Sequence, residues 1–154
     1  MSANLKNYTS GVPVERSIML IERALVRAGA LHISKTYDES KEINGMMFQI
    51  VSGQIPLIFK LPVKWREAQK CMEKQVRRPH RGTMDKIKEQ AKRTAWKILF
   101  EWVTIQISLI ELEQAELAEV FLPYVYDQTK DETLFEKLKG TNFRMITQKA
   151  GGEK

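Results

Sequence analysis

A chain of 154 residues, 43% hydrophobic and 29% charged, has the size of one ordinary globular domain and can bury a core without disulfide or metal staples. Its single cysteine, Cys71, excludes an intramolecular disulfide and fits a reducing compartment such as the cytoplasm. The net charge of +6 is unevenly spread: Lys60 to Lys97 holds thirteen Lys or Arg against four acids, a local +9 that leaves −3 on the remainder.

Residues 1–11 are polar and read as a flexible lead, with Thr9, Ser10 and Gly11 as loop or cap chemistry and Pro13 suited to a first helical turn. Ile18, Ile21, Leu25 and Ala28 then recur at helical spacing, so an amphipathic helix is predicted to about Ala28, ended by Gly29. From Leu31 the period becomes two. Leu31, Ile33 and Tyr37 form one alternating run, Met46, Phe48 and Ile50 a second, and Ile55, Leu57, Phe59 and Leu61 a third. Asp38 to Glu42 and Ser52–Gly53 supply the turns of an antiparallel meander. Pro56 and Pro62 lack amide donors, so the third strand should sit at a sheet edge or present those positions outward.

Trp65 to Val76 reads as a helix with Arg66, Lys70 and Lys74 on one face, broken by the loop Arg77 to Gly82. Met84 to Val120 reads as one long helix of about 55 Å. Two apolar stripes leave it only a narrow polar face of Lys97, Glu101, Thr104, Ser108 and Glu111, so its middle is predicted to be surrounded by protein. Pro123 stops it, Glu132 to Lys139 reads as a short helix, and 141–154 as a flexible polar tail. The expected architecture is α+β in a single domain, residues 1–154: an N-terminal helix, a three-stranded antiparallel β-meander, then two or three helices including the long central one, in the order α-β-β-β-α-α.

The long helix changes sign along its length. Lys86, Lys88, Lys92, Arg93 and Lys97 occupy its first half, and Glu101, Glu111, Glu113, Glu116 and Glu119 its second. That order opposes the helix dipole and predicts a compensating partner outside the helix. The preceding loop adds Arg77, Arg78, His80 and Arg81 beside backbone amides that favour an anion. Arg77, Arg78, His80, Arg81, Lys86, Lys88, Lys92 and Arg93 are therefore the candidate nucleic-acid-binding residues, acting on phosphates because no base-reading motif accompanies them. The competing reading of the same charges is a hydrated surface. A rival explanation of the sign change is an antiparallel homodimer, or another protein partner, with the two ends of the helix in mutual contact. Trp96 and Trp102 fall within apolar stripes and read as core in preference to base-stacking platforms, and Trp65 as the anchor of the following helix in preference to an exposed stacking residue.

Catalytic constellations are missing. His32 and His80 are far apart, Cys71 has no neighbouring histidine or second cysteine, and no glycine-rich phosphate loop occurs. Glu111, Glu113 and Glu116 lack companions for a metal site. The expectation is a nonenzymatic protein with no cofactor, no metal and no small-molecule substrate. The longest apolar passage, Ile98 to Leu112, is interrupted by charges and too short to cross a bilayer, so no membrane partner is expected.

Asn7, Tyr8 and Thr9 with Val12 and Pro13, the run Phe59 to Pro62, Arg93 with Ala95 and Trp96, Trp102 with Gln106, and Phe121 to Tyr124 together resemble a family of small proteins encoded in bacteriophage and prophage genomes. The resemblance implies a phage accessory protein in the cytoplasm of the bacterial host, and it brings no catalytic residue with it. The order α-β-β-β-α is also that of double-stranded-RNA-binding domains, whose lysine-rich helix start Lys86, Lys88 and Lys92 echo loosely; topology alone is an analogy.

Overall fold

A computed structural model describes residues 6–147. Helix α1 (Val14–Arg27) leads into strands β1 (Leu31–Tyr37), β2 (Ile43–Ser52) and β3 (Ile55–Pro62), followed by α2 (Trp65–Glu73) and the long α3 (Thr83–Glu111). Short elements complete the order: α4 (Leu117–Val120), a 3₁₀ turn (Leu122–Tyr124), β4 (Tyr126–Asp127), β5 (Glu132–Thr133), α5 (Leu134–Gly140) and α6 (Arg144–Thr147). The fold is α+β, with a sheet of order β1-β2-β3 and antiparallel pairing throughout.

Alternation in β2 and β3 sends Met46, Phe48, Ile50, Phe59 and Leu61 to one buried face, where they meet Ile18, Ile21 and Leu25 of α1 and Trp96, Val103 and Ile107 of α3. Phe48 and Phe59, cross-strand partners, stack with ring centroids 5.1 Å apart. Phe121 meets Phe48, Phe59 and Trp102 edge-on, which locks the chain after α4 onto the sheet. Gly45 sits where no Cβ fits, because one there would stand 2.6 Å from the Leu61 carbonyl oxygen.

The prolines place β3 at an edge, as their missing donors require, and its free side receives an isolated bridge from Val125 to Phe59. The opposite edge, β1, is irregular. Its register shifts between Leu31 and Ser34, with His32 at φ 53°, and again at Tyr37, which makes it a poor template for further strands.

Several boundaries differ from those read in the sequence. Pro13 is the N-cap of α1 and not part of its first turn, and α2 ends at Glu73, short of Val76. The long helix does not run to Val120. It stops at Glu111, where the Glu113 amide donates to the Ile110 oxygen (3.0 Å) and the Gln114 amide to the Leu109 oxygen (2.9 Å), a Schellman ending with Glu113 in the left-handed conformation at φ 59°. At 29 residues α3 is about 43 Å long. Its middle is not enclosed either, since Ile98 and Ile105 are exposed.

The lead and tail expected to be flexible contain ordered contacts. The Ser10 carbonyl accepts from Gln90 and Arg93, and the Asn7 carbonyl from Thr94. Residues 1–5 and 148–154 of those two segments lie outside the described residues, and Arg144–Thr147 forms α6. The short ribbon β4–β5 had no separate signal. It is held to β3 by Lys60, whose Nζ lies 4.9 Å above the Tyr126 ring; the Tyr126 hydroxyl bonds Asp131, which pushes the phenol up to about 12.

Candidate functional site

The loop between α2 and α3 turns sharply at Gly82, whose φ of 83° suits glycine. The His80 amide donates to Thr83 Oγ1 (2.8 Å) and the Thr83 amide to the His80 oxygen (3.0 Å), a reciprocal closure at the start of α3. Arg77, Arg78, His80, Arg81 and, one turn into the helix, Lys86 are all exposed. No side chain caps this end of α3, so first-turn amides add their partial positive charge to that of the cations. Asp85, also in the first turn, offsets part of it. None of the four cationic residues Arg77, Arg78, Arg81 and Lys86 forms an ion pair among the described residues.

Lys88, Lys92 and Arg93 are placed differently. Glu42, at the end of the β1–β2 turn, takes Lys92 Nζ at 2.8 Å on one carboxylate oxygen and Lys88 Nζ at 3.2 Å on the other. Lys92 is only 14% exposed, and Glu89 lies 3.4 Å from it on the other side. Hydrogen bonds from Lys92 and Lys88 outweigh burial and hold the Glu42 carboxyl below its ordinary range. Burial alone would lower the Lys92 ammonium, but Glu42 and Glu89 prevail and raise it. Arg93 hydrogen-bonds the Ser10 carbonyl (3.3 Å) and Gln90 (2.6 Å), fastening the N-terminal segment to α3.

Beneath these lysines lies Trp65, fully buried as an anchor. Lys92 Nζ and Lys88 Nζ stand 5.1 and 5.7 Å from its ring centroid, and the Arg66 guanidinium 4.3 Å. Arg66 in turn bonds Asp38 at 2.7 Å and holds that carboxyl below its usual range, while Asp38 Oδ1 accepts the amides of Ser40 and Glu42. This knot ties the β1–β2 turn to α2 and α3. Sequence reasoning missed Asp38 and Glu42. The only signal was the i, i+4 spacing of Lys88 and Lys92, which puts two cations on one helix face within reach of a common acceptor.

The charge reversal along the helix is also resolved within the chain. Glu42 neutralises Lys88 and Lys92, Lys6 stands 3.2 Å from Glu101, and Arg27 bonds Glu111 at 2.8 Å. Glu113, Glu116 and Glu119 fall beyond α3 altogether. No external partner is needed to balance the dipole. What remains is a molecule with an exposed basic loop at one end of α3 and acids at the other, where Glu113, Glu116 and Glu119 rim a cleft of about 960 Å³ floored by Ile50, Leu57 and Ile110.

Among the described residues no three metal-ligating side chains converge, and no helix is long and apolar enough to cross a membrane. Comparison of the chain with protein-family models, with curated proteins and with solved structures gave no match.

Proposed function

We propose that the protein binds nucleic-acid phosphates, nonenzymatically, through the loop and helix start formed by Arg77, Arg78, His80, Arg81 and Lys86, with Lys88 at the margin. The observation that carries this reading is the contrast within the basic segment. Lys92 and Arg93 are consumed by internal contacts, whereas the three loop arginines and Lys86 are exposed and without carboxylate partners among the described residues, beside an uncapped helix N-terminus. Guanidiniums bind phosphate oxygens in bidentate fashion, and the absence of an accompanying base-reading element makes the contact electrostatic and tolerant of sequence. In the phage setting that the family resemblance implies, such a protein serves phage DNA or RNA metabolism or interference with a host system.

The experiment is an anisotropy titration of labelled duplex DNA, duplex RNA and single strands at several salt concentrations. Four phosphate contacts give a slope of log affinity against log salt of about −3 to −4 on a duplex. Absence of binding at the lowest salt, or affinity indifferent to salt, would sink the proposal.

A further inference from the structure

Helix α3 carries an apolar strip that its own fold leaves uncovered. Ile98, Ile105 and Leu112 recur every seven residues and are 40%, 58% and 68% exposed. Trp102 and Leu109, half-buried, lie between them on the same side. The opposite side of the helix is occupied, since Trp96, Val103 and Ile107 are fully buried in the core. Beside the strip runs a groove of about 360 Å³ whose walls include Pro62, Lys64, Ala68 and Tyr124. Large exposed side chains at heptad spacing form the kind of seam along which helices pair.

The flanks of the strip are charged, and their sign changes from one end to the other. Lys64 borders the groove next to Ile98, and Lys97 adjoins it; Glu113 follows Leu112, while Glu101 and Glu111 are already paired with Lys6 and Arg27 within the chain. From Ile98 to Leu112 is about 21 Å along the helix. A second copy running antiparallel, with the two-fold axis at Ile105, sets Ile98 against Leu112 and brings the cationic flank of each chain to the anionic flank of its mate. A parallel copy would oppose like charges at both ends. Antiparallel helices also align their dipoles favourably.

From this complementarity we infer that the protein self-associates as an antiparallel homodimer through the Ile98–Ile105–Leu112 strip, with Ile105 meeting its own counterpart. Four helical turns fall short of the roughly 800 Å² per partner of a standard interface, so the dimer is a weak one, with a dissociation constant of about 1 to 100 μM. The basic loop, Arg77 to Arg81, lies outside the contact and remains open in the dimer.

Sedimentation of the nuclease-treated full chain from about 1 to 500 μM tests this, the range bracketing the expected constant. Mass is expected to rise with concentration from 17.9 kDa toward twice that value. Ile105→Glu, at an exposed position, sets two carboxylates face to face at the axis and should weaken association at least about tenfold with an unchanged circular dichroism spectrum. In a Cys71→Ser background, Ile105→Cys should cross-link on mild oxidation. Lys64→Glu/Lys97→Glu and Glu113→Lys should each dimerise poorly alone and recover when mixed, because the mixed dimer restores opposite charges across the contact. A monomer at every concentration overturns the inference. So does a dimer indifferent to Ile105→Glu and silent in cross-linking, which would place the contact on another surface such as the outer face of the sheet.

Discussion

Two residues show how burial and pairing set the cost of a change. Trp96 is fully buried, yet its indole Nε1 has no hydrogen-bond acceptor in the protein. Trp96→Phe keeps most of the ring packing and removes a donor without a protein partner, so urea denaturation should show a loss under about 1.5 kcal/mol, against about 3 to 5 kcal/mol for Trp96→Ala. Glu42 is the reverse case, a partly exposed carboxylate on which two lysines depend. Glu42→Gln leaves Lys92 between a neutral amide and the more distant Glu89, and should cost about 1 to 2 kcal/mol at neutral pH. The pH dependence follows from the direction of the shift. A carboxyl held below its ordinary 4.5 stabilises the fold above that value and loses the contribution as pH falls through the lower folded value. The difference between wild type and Glu42→Gln should therefore be flat from pH 6 to 9 and shrink steadily below about pH 4.5. A difference that persists undiminished at pH 2 would mean that Glu42 acts through packing instead.

Helix endings are the clearest lesson among the elements. Helices α1, α3 and α5 all finish with the same pair of backbone bonds around a left-handed residue, and that residue is Gly29 in the first, Glu113 in the second and Asn142 in the third. Glycine adopts this conformation without steric cost, so α1 ended where its sequence said. Glu113 bears the cost of a Cβ there and adds a negative charge at the negative end of the helix. Glu113→Gly should therefore stabilise the protein by about 1 kcal/mol, a rise in the denaturation midpoint with an unchanged slope. A fall in stability would show that the Glu113 side chain makes a compensating contact. Helix α5 starts as legibly as α1 ends: Thr133 and Glu136 exchange bonds in a capping box, the pattern written as Thr-x-x-Glu in the chain.

For the molecule as a whole, the separation of charge is what gives the proposed binding its direction. A basic loop at one end of α3 and an acid-rimmed cleft at the other leave only the first attractive to phosphate. Changing Arg77, Arg78 and Arg81 together to Ala should move the thermal midpoint by no more than a degree or two, because none of the three is buried or paired among the described residues. The same variant should flatten the salt dependence of nucleic-acid binding by roughly 2 to 3 in slope. A large loss of thermal stability would assign these arginines to the fold and remove the loop as a binding element. Lys92→Ala serves as the contrast, expected to lower stability through Glu42 and Trp65 while leaving the salt slope nearly intact.

The sequence by itself determined the α+β order, the three alternating strands and the turn at Ser52–Gly53, because each is written in spacings of a few residues or in the backbone limits of glycine; for the edge position of β3 and the burial of Trp65 it offered two readings each, and the fold chose between them. Tertiary structure alone decided where α3 stops, since a Schellman ending built on glutamate has no compositional mark. It alone also decided which cations are free. Glu42 meets Lys92, Asp38 meets Arg66 and Arg27 meets Glu111 across long stretches of chain, and periodicity cannot show contacts between residues that only folding brings together. The exposure of Ile98 and Ile105 has the same origin: a helix with two apolar stripes and a narrow polar face reads as enclosed until the number and placement of its neighbours is known, and here one of its apolar sides is left open.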